Sequence, residues 1–178
     1  LDDLVDLYDW ELERPSRAFE LAVEQYQLDP DRRDVWDRLE ALAEETGGWS
    51  ILDEAFAPET PVGENPDESE LGYERVRRLA TWREEEMDDV AGAIAAWEAI
   101  RRRDPMDAEA AEHLESLYRR ADLPDKLVDV LELLAELAKN SDERMSRKLE
   151  AARLSEEQLD DSTRAIALFE AALQEDPD

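Results

Sequence analysis

Glu84 to Pro105 reads EEEMDDVAGAIAAWEAIRRRDP, and Glu156 to Pro177 reads EEQLDDSTRAIALFEAALQEDP. Set over one another at a shift of 72 residues, Glu84-Glu85, Asp88-Asp89, Ala93-Ile94-Ala95, Glu98-Ala99 and Asp104-Pro105 recur as Glu156-Glu157, Asp160-Asp161, Ala165-Ile166-Ala167, Glu170-Ala171 and Asp176-Pro177. Met87 becomes Leu159 and Trp97 becomes Phe169, exchanges that keep a large apolar group at the same station. A weaker copy runs from Arg17 to Pro30, where Ala18, Phe19, Leu21, Tyr26, Asp29 and Pro30 stand for Ala165, Ile166, Leu168, Leu173, Asp176 and Pro177. Repetition on this scale is about twice the length of a helix-turn-helix repeat, so each long period is expected to hold two hairpins.

The hydrophobic spacing agrees. Ala93, Ile94, Ala96, Trp97 and Ile100 follow the i, i+3, i+4, i+7 pattern of one helical face, as do Ala111, Leu114, Leu117 and Tyr118, and Leu127, Val130, Leu131, Leu134 and Leu137. β-Branched residues are scarce and never alternate with a period of two, so no strand is expected. Helices are predicted near 2–13, 15–28, 33–46, 49–57, 69–86, 89–103, 107–120, 124–139, 142–158 and 161–175. Asp-Pro pairs end helices because the residue before proline avoids the α region. Asp107, Ser141 and Asp160 or Asp161 are the N-cap candidates.

Composition narrows the function. The 178 residues carry 50 acids against 21 Lys and Arg, for a net charge of -29. Nucleic acid is a poor partner for such a chain, because binding a phosphate backbone draws on clustered cations. A protein or peptide partner, with basic character, is favoured instead. With 42% hydrophobic residues the chain can bury a core, and it has no membrane-length apolar run. There are no cysteines and His113 is the one histidine, so thiolate chemistry and multi-histidine metal centres are excluded. No phosphate-cradling glycine loop or nucleophile elbow is present, and close carboxylate pairs are expected by chance among 50 acids. No enzyme activity and no cofactor are expected. The absence of a signal peptide after Leu1 favours a cytoplasmic address, and a start at Leu1 with an end at a repeat boundary, Asp176-Pro177-Asp178, points to a segment of a longer protein.

Ala165, Phe169, Ala172, Leu173 and Pro177 have the spacing A-x3-F-x2-A-L-x3-P, and Ala93, Trp97 and Pro105 keep part of it. This resembles the second helix of a tetratricopeptide repeat. Trp36 with Leu39, and Leu114 with Tyr118, match first-helix positions of the same pattern, although Glu40 and Glu115 stand where the family has a small residue. The resemblance implies an all-α, right-handed solenoid of antiparallel helix hairpins, a single repeat domain over 1–178. In such an array Ala93 and Ala165 are contact points and Trp97 and Phe169 are plugs between hairpins. It also implies a concave wall formed by first helices, which suits binding of a peptide or protein segment of basic or amphipathic character.

On that reading the partner-facing candidates are Asp34, Asp37 and Arg38, then Arg77, Thr81 and Trp82, then Glu112, His113 and Ser116. The run RVRRLATWR over 75–83 concentrates arginines around Trp82, and guanidinium with indole can hold a carboxylate or a ring. The competing expectation is that Glu74, Glu84, Glu85 and Glu86 pair with these arginines along the helix while Trp82 packs on a neighbour. Arg101 to Arg103 and Arg119-Arg120 sit where helices end and offset the macrodipole. Family members that clasp a terminal carboxylate use Lys and Asn; the matching places here hold Asp37, Ala41 and His113, which argues against that clasp. The run Leu7-Tyr8-Asp9-Trp10-Glu11 faintly resembles the half-a-tetratricopeptide proteins of RNA processing. The segment 57–69, rich in Pro and acids, reads as a loop that is either a solvated connector or an acidic lip for a basic partner. Two alternatives to recognition remain open. One is a structural spacer that docks neighbouring domains, and the other is a hydrolase using paired carboxylates.

Overall fold

A computed structural model describes residues 1–57 and 69–175; the expected loop over 57–69 and the final Asp-Pro-Asp lie almost wholly outside them. Among the described residues the fold is all-α, with ten helices and no strand. They are α1 (Asp2–Asp6), α2 (Pro15–Leu28), α3 (Arg33–Thr46), α4 (Trp49–Phe56), α5 (Glu70–Glu85), α6 (Val90–Arg103), α7 (Ala108–Arg120), α8 (Pro124–Leu137), α9 (Ser141–Glu157) and α10 (Ser162–Leu173). No helix among the described residues is long and apolar enough to cross a membrane.

The predicted elements recur in order, with two differences at their ends. The first predicted helix is broken, because α1 passes into a π-helical turn over Leu7–Glu11. The cap of α9 is Asn140, whose side chain accepts from the Glu143 N–H, so Ser141 is the first helical residue rather than the cap. Asp107 and Asp161 cap α7 and α10 as expected, and Asp89 caps α6 in the same way. Each carboxylate accepts an otherwise orphaned first-turn N–H.

One feature of the turns has no counterpart in the periodicity. Glu13, Asp88, Asp122 and Asp160 all take positive φ, between 50° and 54°, two residues ahead of α2, α6, α8 and α10. The preceding helix ends each time on a long backbone bond, from Leu12 to the Leu7 carbonyl, Met87 to Trp82, Leu123 to Tyr118 and Leu159 to Leu154. The turn between α3 and α4 uses Gly47 instead, at φ 70°, and its neighbour Gly48 sits so close to the Phe19 ring that a β-carbon would stand 2.5 Å from it. Aspartate enters the left-handed region more readily than most residues but still less cheaply than glycine. Asp122→Gly is therefore expected to stabilise the chain by about 0.5 kcal/mol and Asp122→Val to destabilise it by about 1–2 kcal/mol. Urea melts of the two variants test this, and equal midpoints would contradict it.

The chain divides into two compact units, Leu1–Asp88 and Asp89–Asp178. In the first, α2 packs on α1, α3 and α4, and α4 packs on α5. Its core is aromatic at the centre. Phe56 of α4 stacks on Tyr26 of α2 at 4.3 Å, meets Trp36 of α3 edge-on at 5.6 Å and meets Trp82 of α5 edge-on at 4.9 Å. In the second unit each helix from α6 to α10 packs on the next. Trp97, Ile100, Leu114, Leu117, Val128 and Leu131 are fully buried there, and the small Ala93, Ala96, Ala110 and Ala111 are buried with them. Ala93 and Ala165 are both buried. Trp97 is fully buried, whereas Phe169 is only half-buried.

Candidate functional site

Leu39 and Leu114 face the core with no exposure, so the residue after each stands at the flank of its helix, within reach of a neighbouring one. Those residues are Glu40 and Glu115. Glu40 accepts the Trp82 indole N–H at 3.0 Å and pairs with Arg78 at 2.9 Å, which ties α3 to α5. Glu115 pairs with Arg119 one turn on at 2.8 Å and with Arg147, which ties α7 to α9. Asp6 of α1 takes Arg38 of α3 at 2.6 Å in the same manner. Further cross-links follow the pattern: Lys126 of α8 to Glu98 of α6 at 2.6 Å, and Arg164 of α10 to Asp129 and Glu132 of α8 at 2.6 and 2.7 Å. These pairs join alternate helices, whereas Arg83 with Asp53, and Arg144 and Lys148 with Glu175, tie neighbouring elements.

The nine candidates separate into structural and open groups. Trp82 is 4% exposed, packed against Phe56 and 6.1 Å from Trp49, so it belongs to the core and not to a partner-facing wall. Its burial follows from the indole finding a carboxylate for its one donor, which removes the cost of desolvating it. Arg77 lies over the Tyr73 ring at 5.1 Å and donates to its hydroxyl at 2.8 Å, and the Thr81 hydroxyl donates to the Arg77 carbonyl at 3.2 Å. Arg38 is used by α1. Asp37 accepts from Arg78 at 2.8 Å yet remains well exposed, and Asp34, also exposed, is held by Arg32. The hydrogen bond from Arg32 keeps the Asp34 carboxyl below its usual range. On α7, Glu112 and Ser116 are exposed one turn apart, while the His113 ring lies flat on Trp97 at 4.2 Å and 8°. His113 therefore presents an edge, and its face serves packing.

The arginine-rich run resolves toward internal pairing, mostly across helices rather than along one. Arg78 meets Glu74 at i+4, but Arg75 reaches Asp31 at 3.8 Å and Arg83 reaches Asp53 at 2.7 Å. Arg75 and Arg78 also stand 5.8 and 5.4 Å from the Trp36 ring centre. What sequence reasoning missed is the pair Glu40 and Glu115. Their signal was an acid directly after a core leucine, at the two places where the motif has a small residue.

In the second unit an open cleft of about 390 Å³ lies among Glu98, Arg101, Arg102, Tyr118, Lys126 and Asp129. Tyr118 and Lys126 both donate to the same Glu98 oxygen, at 3.0 and 2.6 Å. Burial, with Glu98 adding to it, pushes the Tyr118 phenol well above its ordinary range, so it stays protonated. Among the described residues no three His, Asp or Glu side chains converge as a metal site requires. The arrangement offers exposed acids on a framework in which Arg32, Arg38, Arg78, Arg83, Arg147 and Arg164 are held in internal pairs.

Glu115 makes a pH prediction. Burial raises its carboxyl, but the hydrogen bonds from Arg119 and Arg147 outweigh it, and the net shift is downward. A depressed folded value gives stability that is complete above the ordinary glutamate range and is lost as pH falls through the depressed one. Glu115→Gln is expected to lower the urea midpoint at pH 7, and the gap from the parent chain is expected to narrow as pH falls below the ordinary glutamate range. A gap that did not narrow at all as pH fell below the ordinary glutamate range would assign the loss to packing instead.

No protein-family model matches the chain, and no curated protein matches it.

Proposed function

We propose that the chain is a tetratricopeptide-like array of stacked helix hairpins that serves as a protein-interaction scaffold for a basic or amphipathic segment. The observation that carries this reading is the set of ion pairs joining alternate helices, α1 to α3, α3 to α5, α6 to α8, α7 to α9 and α8 to α10. Hairpins laid side by side bring helix n beside helix n+2, and these five ties span such junctions. The recurring turns support it too. Glu13 and Gly47, like Asp88 and Asp122, are 34 residues apart, the length of one such repeat.

The recognition half follows from charge. With Arg38, Arg78 and Arg147 drawn into internal pairs, the exposed carboxylates of Asp34, Asp37 and Glu112 give the first helices a negative outer face that attracts cationic side chains. Each unit carries its own share of that face. The right-handed sense of the array, its use as a binder rather than a spacer, and a non-catalytic role all belong to this proposal.

The test is a titration of a lysine-rich amphipathic peptide into the chain at low and high salt. Affinity is expected to fall by about tenfold or more between 50 and 500 mM salt, and Glu112→Lys to weaken it by about three- to tenfold at low salt. Affinity indifferent to both changes would remove the electrostatic reading.

A further inference from the structure

Arg14, Arg101, Lys139 and Arg153 are the Lys and Arg side chains that have neither a hydrogen-bond nor an ion-pair partner among the described residues. Arg14, Lys139 and Arg153 are exposed, so water solvates them. Arg101 is half-buried, and its Nε is covered completely with no acceptor in reach. A donor left unmet in this way bears its desolvation in full, in a chain that has 50 carboxylates to offer. Its place in the last turn of α6 lets Arg101 oppose the helix macrodipole, but Arg102 and Arg103 stand in the same turn, and that field gives the buried Nε no acceptor.

Other copies of the repeat use this station differently. Arg101 aligns with Leu173 at the shift of 72 residues and, through it, with Tyr26. Tyr26 is buried and stacked on Phe56, so a station that packs the first unit holds a charge in the second. That charge lines the open cleft of about 390 Å³ between α6, α7 and α8. Within the cleft Lys126 is matched by Glu98 at 2.6 Å and Asp129 by Arg164 at 2.6 Å. Arg102 adds a second, exposed guanidinium to the same wall.

We infer that this cleft is a binding site for a carboxylate group, taken end-on by the two terminal nitrogens of Arg101. With Nε covered, those nitrogens are the donors a ligand can meet, and their planar fork fits the two oxygens of a carboxylate. A single guanidinium without a counter-ion matches a monoanion. A phosphate dianion would instead meet Glu98 and Asp129 on the same walls and the field of a chain of net charge -29. The site is assembled wholly from helices inside the second unit. It selects the opposite sign of charge from the acidic face of the first helices and does not rest on that reading.

The test is a heteronuclear NMR titration of the full chain that follows the Nε–H signal of Arg101, which burial shields from exchange, and the backbone amides of Tyr118 and Lys126. Sodium acetate, a glutamate-centred tripeptide blocked at both ends, and inorganic phosphate each replace sodium chloride at constant ionic strength. Acetate and the tripeptide are expected to give saturable shifts, with phosphate weaker by about threefold or more. A tripeptide about tenfold or more tighter than acetate assigns the carboxylate to a protein side chain, and equal midpoints assign it to a free organic acid. Arg101→Leu, which installs the side chain of the later copy, should abolish saturation at the two amides while the urea midpoint holds or rises. Arg101→Lys, which keeps the charge but not the fork, should weaken acetate about three- to tenfold, and Arg103→Gln, outside the cleft, should leave binding unchanged. Circular dichroism checks the fold of each variant. Absence of saturation, saturation that survives Arg101→Leu, or phosphate binding tighter than acetate overturns the proposal. So does a fall in the Arg101→Leu midpoint, which would assign the guanidinium to the fold.

Discussion

Trp97→Ala is expected to destabilise the second unit by about 3–5 kcal/mol, while Phe169→Ala, at the equivalent station 72 residues on, is expected to cost about 1 kcal/mol. Trp97 is fully buried and stacked on His113, so truncation leaves a cavity that neighbouring alanines are too small to fill. Phe169 keeps water on one side and leaves a notch that solvent occupies. Paired denaturant melts followed by circular dichroism at 222 nm measure the ratio. Equal losses would contradict the difference in burial between the two stations.

Phe56→Ala is expected to cost the first unit about 3–5 kcal/mol. Phe56 comes from the shortest of that unit's well-packed helices, α4, yet its ring touches Tyr26, Trp36 and Trp82 from three other helices. Removing it empties the point where four elements converge and also forfeits the ring–ring geometry, worth about 0.5–1.5 kcal/mol per aromatic pair beyond area. Phe56→Leu should recover more than half of the loss, because it restores volume without the ring contacts. Near-ultraviolet circular dichroism, with four of the five tryptophans in this unit, reports the change directly. A variant of parental stability would show that the ring cluster is incidental to the fold.

Helix existence was legible because the apolar spacing is strict and Asp-Pro pairs punctuate it. The broken first helix was not, since nothing in Leu7-Tyr8-Asp9-Trp10-Glu11 separates a π turn from an α turn by propensity. Asn140 was passed over for Ser141 because both are good caps and one-residue placement depends on backbone angles. Among the candidate residues, Asp34, Asp37, Glu112 and Ser116 are as open as their helix positions implied. Trp82 was misplaced because helical phase alone does not say that an indole has a carboxylate waiting on another helix. Glu40 and Glu115 escaped for the same reason: an ion pair between helices is a property of two distant positions, and periodicity reads one helix at a time.

Arg78 and Glu150 occupy one station of the period and carry opposite charge, yet both end in a bond to the helix two places earlier, Arg78 with Glu40 and Glu150 with Arg119. The counter-ions are not themselves equivalent: Glu40 follows the buried Leu39, while Arg119 lies one turn beyond Glu115 on its helix. Charge at one place on a helix can therefore reverse wherever the helix two places away offers an opposite charge within reach.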